Sequence, residues 1–593
     1  MRVTIGQINT TNGDCEGNVG RILNAIERAK KDRSDLVVFP EVTIQGYTSF
    51  DWFLDPDVVK HALDPLTRII EATEGITAIV GTVRPSDQPT GRRLFNSAAV
   101  IRDRKLIGFA DKTLLPEYDV FDDPRYFEPA RERRLFNLDE TKREHDARDP
   151  QARMSSTPRG LPARGPRPAL QFGIAVCEDF WNDKTFWKQR LYPNDPAQEL
   201  IEMGANLLVS INASPFNKGK MRVRCDMVSH RAKTAHIPIV FVNLVGANDG
   251  IIFDGASIVS DAEGRIVLQA PPFEEFVETV ELECGVPDAR CLSGDDIATV
   301  HQALVLGIRD YAGKNGFSKA VFGLSGGIDS ALVVALACEA LGPENVLAVM
   351  MPSPYSSRSS IDDSVELSRR LGMKVIERPI NDAFHALRNE LDLPEAGKTN
   401  DRPLEIAVEN LQSRLRGNIL MTISNAEGRL LLSTGNKSEL ALGYCTLYGD
   451  TNGGLAVLGD VLKTEVYELA RLYNREREVI PEAIINKRPS AELAPGQFDD
   501  QSLPPYDKLD PVLKLYFERK QSPEEIVAAG HEPSLVYDIL NRVESPANEF
   551  KRRQLPPTLI ISRNAIGIGR RRPISHHYRR DQQSWCAGVV GHK

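Results

Sequence analysis

The chain is 593 residues long, 41% hydrophobic and 26% charged, and its 73 Lys plus Arg against 82 Asp plus Glu give a formal net charge of −9. That length exceeds what one hydrophobic core serves, so two or more domains are expected. The acidic balance argues against a general nucleic-acid or anionic-membrane surface, because both need a broad basic face.

In chain order, strands are expected at 3–8, 35–39, 77–83, 97–101, 170–176, 205–211 and 237–244, with a helix near 19–30. These runs of Val, Ile, Phe and Ala bounded by Gly, Pro and Asp suit strands buried on at least one face. The segment 141–168 breaks the pattern. Rich in Arg, Asp and Pro and almost without large apolar residues, it reads as a mobile surface insertion. Around 287–294 the strand pattern ends and a helix begins, so the domain boundary is placed there, giving domains 1–286 and 287–593. Beyond it come a strand at 319–324, a helix to 341, a strand at 346–351, a helix at 362–371 and a strand at 374–380. Repeated strand-helix units predict a doubly wound parallel sheet.

Basic residues cluster only locally, at 131–134, 143–167 and 563–580, and the last cluster could hold phosphates if it lies near an active site. Eight cysteines are scattered with no Cys-x-x-Cys pair, and the N-terminus starts a strand rather than a charged region followed by an apolar one. No run approaches bilayer length. A soluble, cytoplasmic protein with reduced cysteines is expected, without nucleic-acid or membrane partners. A cysteine beside a base or cation is then available as a nucleophile.

Glu41 lies in Phe-Pro-Glu-Val, Lys112 in Asp-Lys-Thr-Leu-Leu-Pro-Glu-Tyr and Cys177 in Ile-Ala-Val-Cys-Glu-Asp-Phe-Trp. Singly, each has a plain explanation as a strand-end carboxylate, a surface lysine or a core cysteine. In order and in context, the three resemble the glutamate, lysine and cysteine of the nitrilase and amidase superfamily. The chemistry fits the residue types. An amide carbonyl is a poor electrophile, so a thiolate must attack it while a carboxylate takes the thiol proton and passes it to the leaving nitrogen. Cys177 is assigned as nucleophile, Glu41 as general base and Lys112 as stabiliser of the oxyanion. The resemblance further implies glutamine contacts at Tyr118, Ser214 and Lys220. Asp123 departs from the family, which more often has glutamate there.

Residues 323–330 read Gly-Leu-Ser-Gly-Gly-Ile-Asp-Ser, between an apolar run and a helical stretch. Adjacent glycines let backbone N–H groups converge on one concavity, and the helix adds its positive end, so the loop is expected to hold a pyrophosphate. Taken alone, the string could be a plain Gly-Gly turn. The lysine of the ordinary phosphate loop is missing. The segment looks instead like the PP-loop of ATP pyrophosphatases.

Further strings follow: Glu-Asn-Leu-Gln-Ser-Arg-Leu-Arg from Glu409, Ser-Thr-Gly-Asn-Lys-Ser-Glu from Ser433, Gly-Tyr-Cys-Thr-Leu-Tyr-Gly-Asp from Gly443 and Gly-Asp-Val-Leu-Lys-Thr from Gly459. Pro-Ser-Ala-Glu-Leu from Pro489, Leu-Pro-Pro-Tyr from Leu503 and Phe-Lys-Arg-Arg-Gln from Phe550 complete the set. Jointly they resemble the glutamine-dependent NAD synthetase family over nearly the whole chain except 141–168. The implied fold is α/β, a nitrilase-like αββα sandwich followed by a doubly wound parallel-sheet PP-loop domain.

The implied reaction is amidation of the nicotinate carboxylate of deamido-NAD, activated by ATP, with ammonia from L-glutamine. The resemblance places ATP at Gly323, Leu324, Ser325, Gly326, Gly327, Ile328, Asp329, Ser330, Thr434 and Lys463, and deamido-NAD at Asn410, Glu439 and Lys551. Asp329 and Glu439 are the candidate Mg2+ ligands, and a homo-oligomer is expected. Without the family context, Thr434 and Asn410 read as helix cap or turn residues.

Ammonia in neutral water is mostly protonated, and ammonium has no lone pair to attack with. A shielded path between the two chemistries is therefore expected. Two other readings remain open at this stage: a PP-loop synthetase amidating GMP or aspartate precursors, disfavoured by the nitrilase-type half, and a nucleotide-sensing protein with degenerate sites, disfavoured by intact Glu41, Lys112, Cys177 and Asp329.

Overall fold

The computed structural model describes residues 1–137, 170–282 and 296–575. The expected insertion at 141–168, the boundary at 286/287 and the last basic residues of 563–580 lie outside the described residues. The chain forms two compact units. One is Met1–Pro215 with Gly219–Gly246 and Phe253–Ser293; the other is Gly294–Lys593 with Phe216–Lys218 and Ala247–Ile252.

The first unit holds two six-stranded sheets. One runs in the order Phe276–Glu281, Arg2–Gln7, Leu36–Val38, Thr77–Pro85, Leu94–Arg102, Lys105–Asp111. The other runs Ile266–Gln269, Ile258–Ser260, Ile239–Asn243, Leu207–Asn212, Gln171–Val176, Phe136–Asn137. Their facing sides share one apolar core, in which Val3, Ile5, Val38 and Val100 meet Ile174, Val176, Val209 and Val242. Each sheet buries its other face under helices. Val19, Ile22 and Ile26 of the helix Cys15–Lys31 pack on Val37, Phe39 and Val80, while Leu200, Met227 and Val228 pack on Ala175, Leu208 and Phe241. Two helix layers around two sheets give the expected αββα sandwich.

Local chemistry accounts for the elements. The helix Cys15–Lys31 starts where Asp14 Oδ1 accepts from the Gly17 N–H at 2.9 Å and ends on Arg28, Lys30 and Lys31, which suit the negative end of its dipole. Its apolar residues recur every three or four positions, so one face enters the core, where each fully buried Ile contributes about 1.5–3 kcal/mol.

In the second unit the strands Lys374–Glu377, Val346–Met350, Ala320–Gly323, Leu430–Ser433 and Leu455–Ala456 form one sheet in that spatial order, and every pair is parallel. The first strand in sequence, Ala320–Gly323, is central, and the chain order reverses beside it. Such a switch point opens a crevice at the carboxyl ends of the strands. Gly323 stands at that end. The helix Ile328–Leu341 follows, buried along nearly its whole first ten residues, as its all-round apolar sequence requires.

Among the described residues no helix is long and apolar enough to cross a membrane. Among the described residues Cys15, Cys177, Cys338 and Cys445 are free thiols.

Candidate active sites

Cys177 follows the strand Gln171–Val176 and opens the one-turn helix Glu178–Trp181, with φ at +48°. A non-glycine residue held in that region signals a constraint imposed by its surroundings. Its N–H donates to the Ile211 carbonyl at 2.9 Å on the neighbouring strand, which fixes the turn.

Glu41 is fully buried. Its Oε1 accepts from Asn96 Nδ2 and from Lys112 Nζ, each at 2.7 Å, and its Oε2 accepts from the Ala213 N–H at 2.9 Å. Lys112 is equally buried and also donates to Asp123 Oδ2 at 2.7 Å, while Tyr47 OH donates to Asp123 Oδ1 at 2.8 Å. Burial alone would lower the Lys112 ammonium, but Asp123, Glu41 and Cys177 outweigh it and hold the group well above its usual range. Burial, reinforced by the Glu41 charge, pushes the Cys177 thiol well up, with Lys112 pulling the other way. The Cys177 thiol thus lies within the field of a buried carboxylate and a fixed ammonium. This arrangement can run amide cleavage by proton transfer and thiol attack.

The three predicted glutamine contacts lie in the same unit. Tyr118 OH donates to both oxygens of Glu178 at 3.1 and 3.0 Å. Ser214 is buried, its N–H donating to Asn243 Oδ1 at 2.9 Å, and its hydroxyl has no hydrogen-bond partner. Lys220 opens the helix Lys220–Ala235, donates to the Pro215 carbonyl at 3.0 Å and stands 5.2 Å from the centre of a Trp181 ring. Sequence reasoning missed Asn96, Tyr47 and Asp179. Asp179 takes the N–H groups of Thr113 and Leu114, the latter at 2.7 Å, and so pins the backbone next to Lys112. A clue was available in the Cys-Glu-Asp string; for Asn96 and Tyr47 there was none.

In the second unit a cavity of about 510 Å³ is lined by Gly323, Leu324, Ser325, Gly327, Ile328 and Asp329, together with Thr434, Lys463, Asn410, Glu439 and Lys551. Eleven of the thirteen residues expected to serve ATP or deamido-NAD therefore share one space. Gly326 and Ser330 do not line it. Gly326 has φ +78° and a Cβ there would fall 2.5 Å from the Ser360 carbonyl oxygen, so only glycine fits. Ser330 Oγ donates to the Gly327 carbonyl at 2.9 Å and keeps the loop closed on itself.

Asp329 is gripped by Lys463 Nζ and by Asn436 Nδ2 at 3.0 Å; the same Lys463 reaches Glu439 at 3.4 Å. Burial drives the Glu439 carboxyl up, with Lys463 opposing. Burial would lower the Lys463 ammonium, but Asp329 and Glu439 hold it well above its usual value. Asn436 caps the helix Lys437–Leu442, and the Glu439 side chain closes that cap from its third position. Asn410 Oδ1 accepts from Thr446 Oγ1 at 2.7 Å, and Lys551 donates to the Gly443 and Cys445 carbonyls at 2.7 and 2.8 Å. The carboxylates of Asp329 and Glu439 are hard oxygen donors, suited to a small dication that takes one or two carboxylates and completes its shell with phosphate oxygens and water.

A carbon-nitrogen hydrolase family model matches residues 2–286, and an NAD synthase model matches residues 300–556. The glutamine-dependent NAD(+) synthetase of Synechocystis sp. is 42% identical over 588 residues, covering 97% of this chain and 99% of that protein. The chain belongs to the glutamine-dependent NAD(+) synthetase family. It is accordingly an enzyme of the ligase class, with a nitrilase-like N-terminal domain and an NAD synthase domain. The family member of Thermotoga maritima is 37% identical over 620 residues, covering 98% of this chain and 99% of that protein. Among solved structures, the glutamine-dependent NAD+ synthetase of Acinetobacter baumannii in complex with ADP matches with a TM-score of 0.71 at 35% identity, covering 97% of this chain and 98% of that one. The structure from Cytophaga hutchinsonii matches with a TM-score of 0.76 over 97% of both chains; at 21% identity it speaks for the fold alone.

Proposed function

We propose that the enzyme makes NAD from deamido-NAD, ATP and L-glutamine through an adenylated nicotinate, releasing AMP and pyrophosphate, with residues 1–286 as glutaminase and 287–593 as synthetase. The observation that carries this reading is the single cavity shared by the glycine loop, the Asp329–Lys463–Glu439 cluster, Asn410 and Lys551. A free carboxylate repels amines and offers no leaving group; transfer to AMP supplies one. The loop N–H groups and Lys463 receive the charge that gathers on the departing pyrophosphate. Asp329 and Glu439 would hold a magnesium ion, which when bound supplies further neutralisation of that charge.

In the amide site Glu41 takes the proton of Cys177, the thiolate attacks the glutamine carboxamide, and Lys112 stabilises the oxyanion. Glu41 then returns the proton to the leaving nitrogen, and ammonia departs from a thioester that water hydrolyses. The ammonia must reach the adenylate before protonation, so transfer shielded from solvent belongs to the proposal. Offering deamido-NAD or xanthosine monophosphate as the acid acceptor tests it. Amidation of deamido-NAD alone is expected; turnover of xanthosine monophosphate in its place would overturn the reading.

A further inference from the structure

We infer that the second unit carries a further ligand site, an arginine-lined cavity that takes a nucleoside phosphate apart from the glycine-loop cavity and acts on synthesis through one helix common to both. The basic stretch 563–580 leads to it. None of its described members lines the glycine-loop cavity, whereas Arg570, Arg571 and Arg572 line another of about 610 Å³ with Lys520, Tyr516 and Phe517. The two cavities have no lining residue in common.

The charge of the arginine cavity favours an anion. Carboxylates on or beside its lining are already engaged: Glu525 accepts from the Ser522 N–H at 2.8 Å, Glu524 accepts from the Tyr537 hydroxyl at 3.1 Å, and Glu544 and Glu549 hold Arg570 at 2.7 and 3.3 Å. Lys520 is exposed and has no hydrogen bond or ion pair among the described residues. Its φ of +53° is uncommon for a lysine and marks a local constraint. Guanidinium and ammonium groups bind phosphate through charge-assisted hydrogen bonds. Tyr516, Phe517 and Tyr537 add aromatic walls, which suit the flat ring that a nucleoside brings with its phosphate.

The helix Tyr506–Phe517 joins this cavity to the synthetase cluster. Near its start, the Tyr506 ring centre lies 5.4 Å from Lys463 Nζ, and Asp510 accepts from the Thr464 N–H at 2.8 Å and from Ser438 Oγ at 2.5 Å. At its end, the Phe517 ring centre lies 5.4 Å from the Arg570 guanidinium and 5.8 Å from Lys437 Nζ. Lys437 opens the helix that carries Glu439. A ligand that moves Phe517 or Arg570 therefore acts on the elements that place Lys463 and Glu439.

The test titrates the full chain with AMP by calorimetry, as wild type and as the double variant Lys520→Glu, Arg571→Glu. Both positions are exposed, so the variant should melt as the wild type does. It should bind one AMP fewer per chain, or bind that one about a hundredfold more weakly, since two phosphate-binding charges are reversed. In ammonium-driven NAD formation at saturating ATP and deamido-NAD, AMP should change kcat about twofold or more in the wild type and not in the variant. Equal AMP stoichiometry and affinity in the two proteins overturns the site. Adenosine or inorganic phosphate binding there as tightly as AMP overturns the ligand class, and an AMP effect on kcat shared by both proteins or absent from both overturns the coupling. The kinetic arm rests on the proposed reaction: no NAD from deamido-NAD would overturn that reaction, while the calorimetric count still decides the site.

Discussion

Lys112 Nζ stands 2.7 Å from Asp123 Oδ2 and the same distance from Glu41 Oε1, so one buried ammonium is shared by two buried carboxylates. The Asp123 side chain reaches the lysine with one oxygen, and Tyr47 OH fixes the other. Asp123→Asn removes one counter-charge and leaves Lys112 less firmly protonated. Glutamine hydrolysis should fall about a hundredfold, and the variant should lose about 3 kcal/mol of stability, the range for breaking a buried ion pair. Steady-state glutaminase rates and denaturant unfolding check both.

Cys177→Ala removes the thiol to which the proposed glutaminase reaction assigns the attack and leaves every residue lining the glycine-loop cavity in place. NAD formation with glutamine should vanish while ammonium salts still drive it. Measuring both in one folded preparation is decisive, since loss of the ammonium-driven reaction would mean that Cys177 does not serve a separate ammonia supply.

Asp329 is held between Lys463 and Asn436 at the start of the helix Ile328–Leu341. Asp329→Ala should lower synthesis about a hundredfold or more with either nitrogen source, because charge on the leaving pyrophosphate loses stabilisation in both. Full synthesis with ammonium would remove Asp329 from the phosphate site.

Asp179 offers a test by pH. Burial pushes its carboxyl up to about 7 against the pull of the Leu114 and Thr113 N–H groups, from an ordinary value of 3.8. Because the folded value is the raised one, the native state holds the proton more tightly, and stability falls as pH rises from about 4 through about 7. Asp179→Asn cannot ionise, so between pH 5 and pH 8 the wild type should lose about 2–4 kcal/mol relative to it. Parallel stability curves for the two proteins would contradict the assignment.

Much of this was legible in the sequence, for physical reasons that differ by residue. Cys177 and Gly323 end apolar runs that could only be buried strands, and such ends are where chemistry sits in α/β folds. The strand Phe276–Glu281 escaped, because none of its residues is fully buried and it is held by pairing with Arg2–Gln7 across almost the whole first unit. Lys105–Asp111 is likewise no more than half-buried, and its place depends on Leu94–Arg102. Asn96 reaches Glu41 through sheet register, which single-chain patterning does not encode. The Asp329–Lys463–Glu439 cluster joins residues 134 and 24 positions apart. Only the order of motifs hinted that they meet.

The products formed from deamido-NAD, ATP and glutamine test the proposed reaction most directly. Quantifying NAD, AMP, pyrophosphate and glutamate over a time course of the wild-type enzyme should give NAD, AMP and pyrophosphate in equal amounts, with glutamate at least matching them. Formation of NAD with ADP and phosphate instead, or consumption of ATP with no NAD, would contradict it.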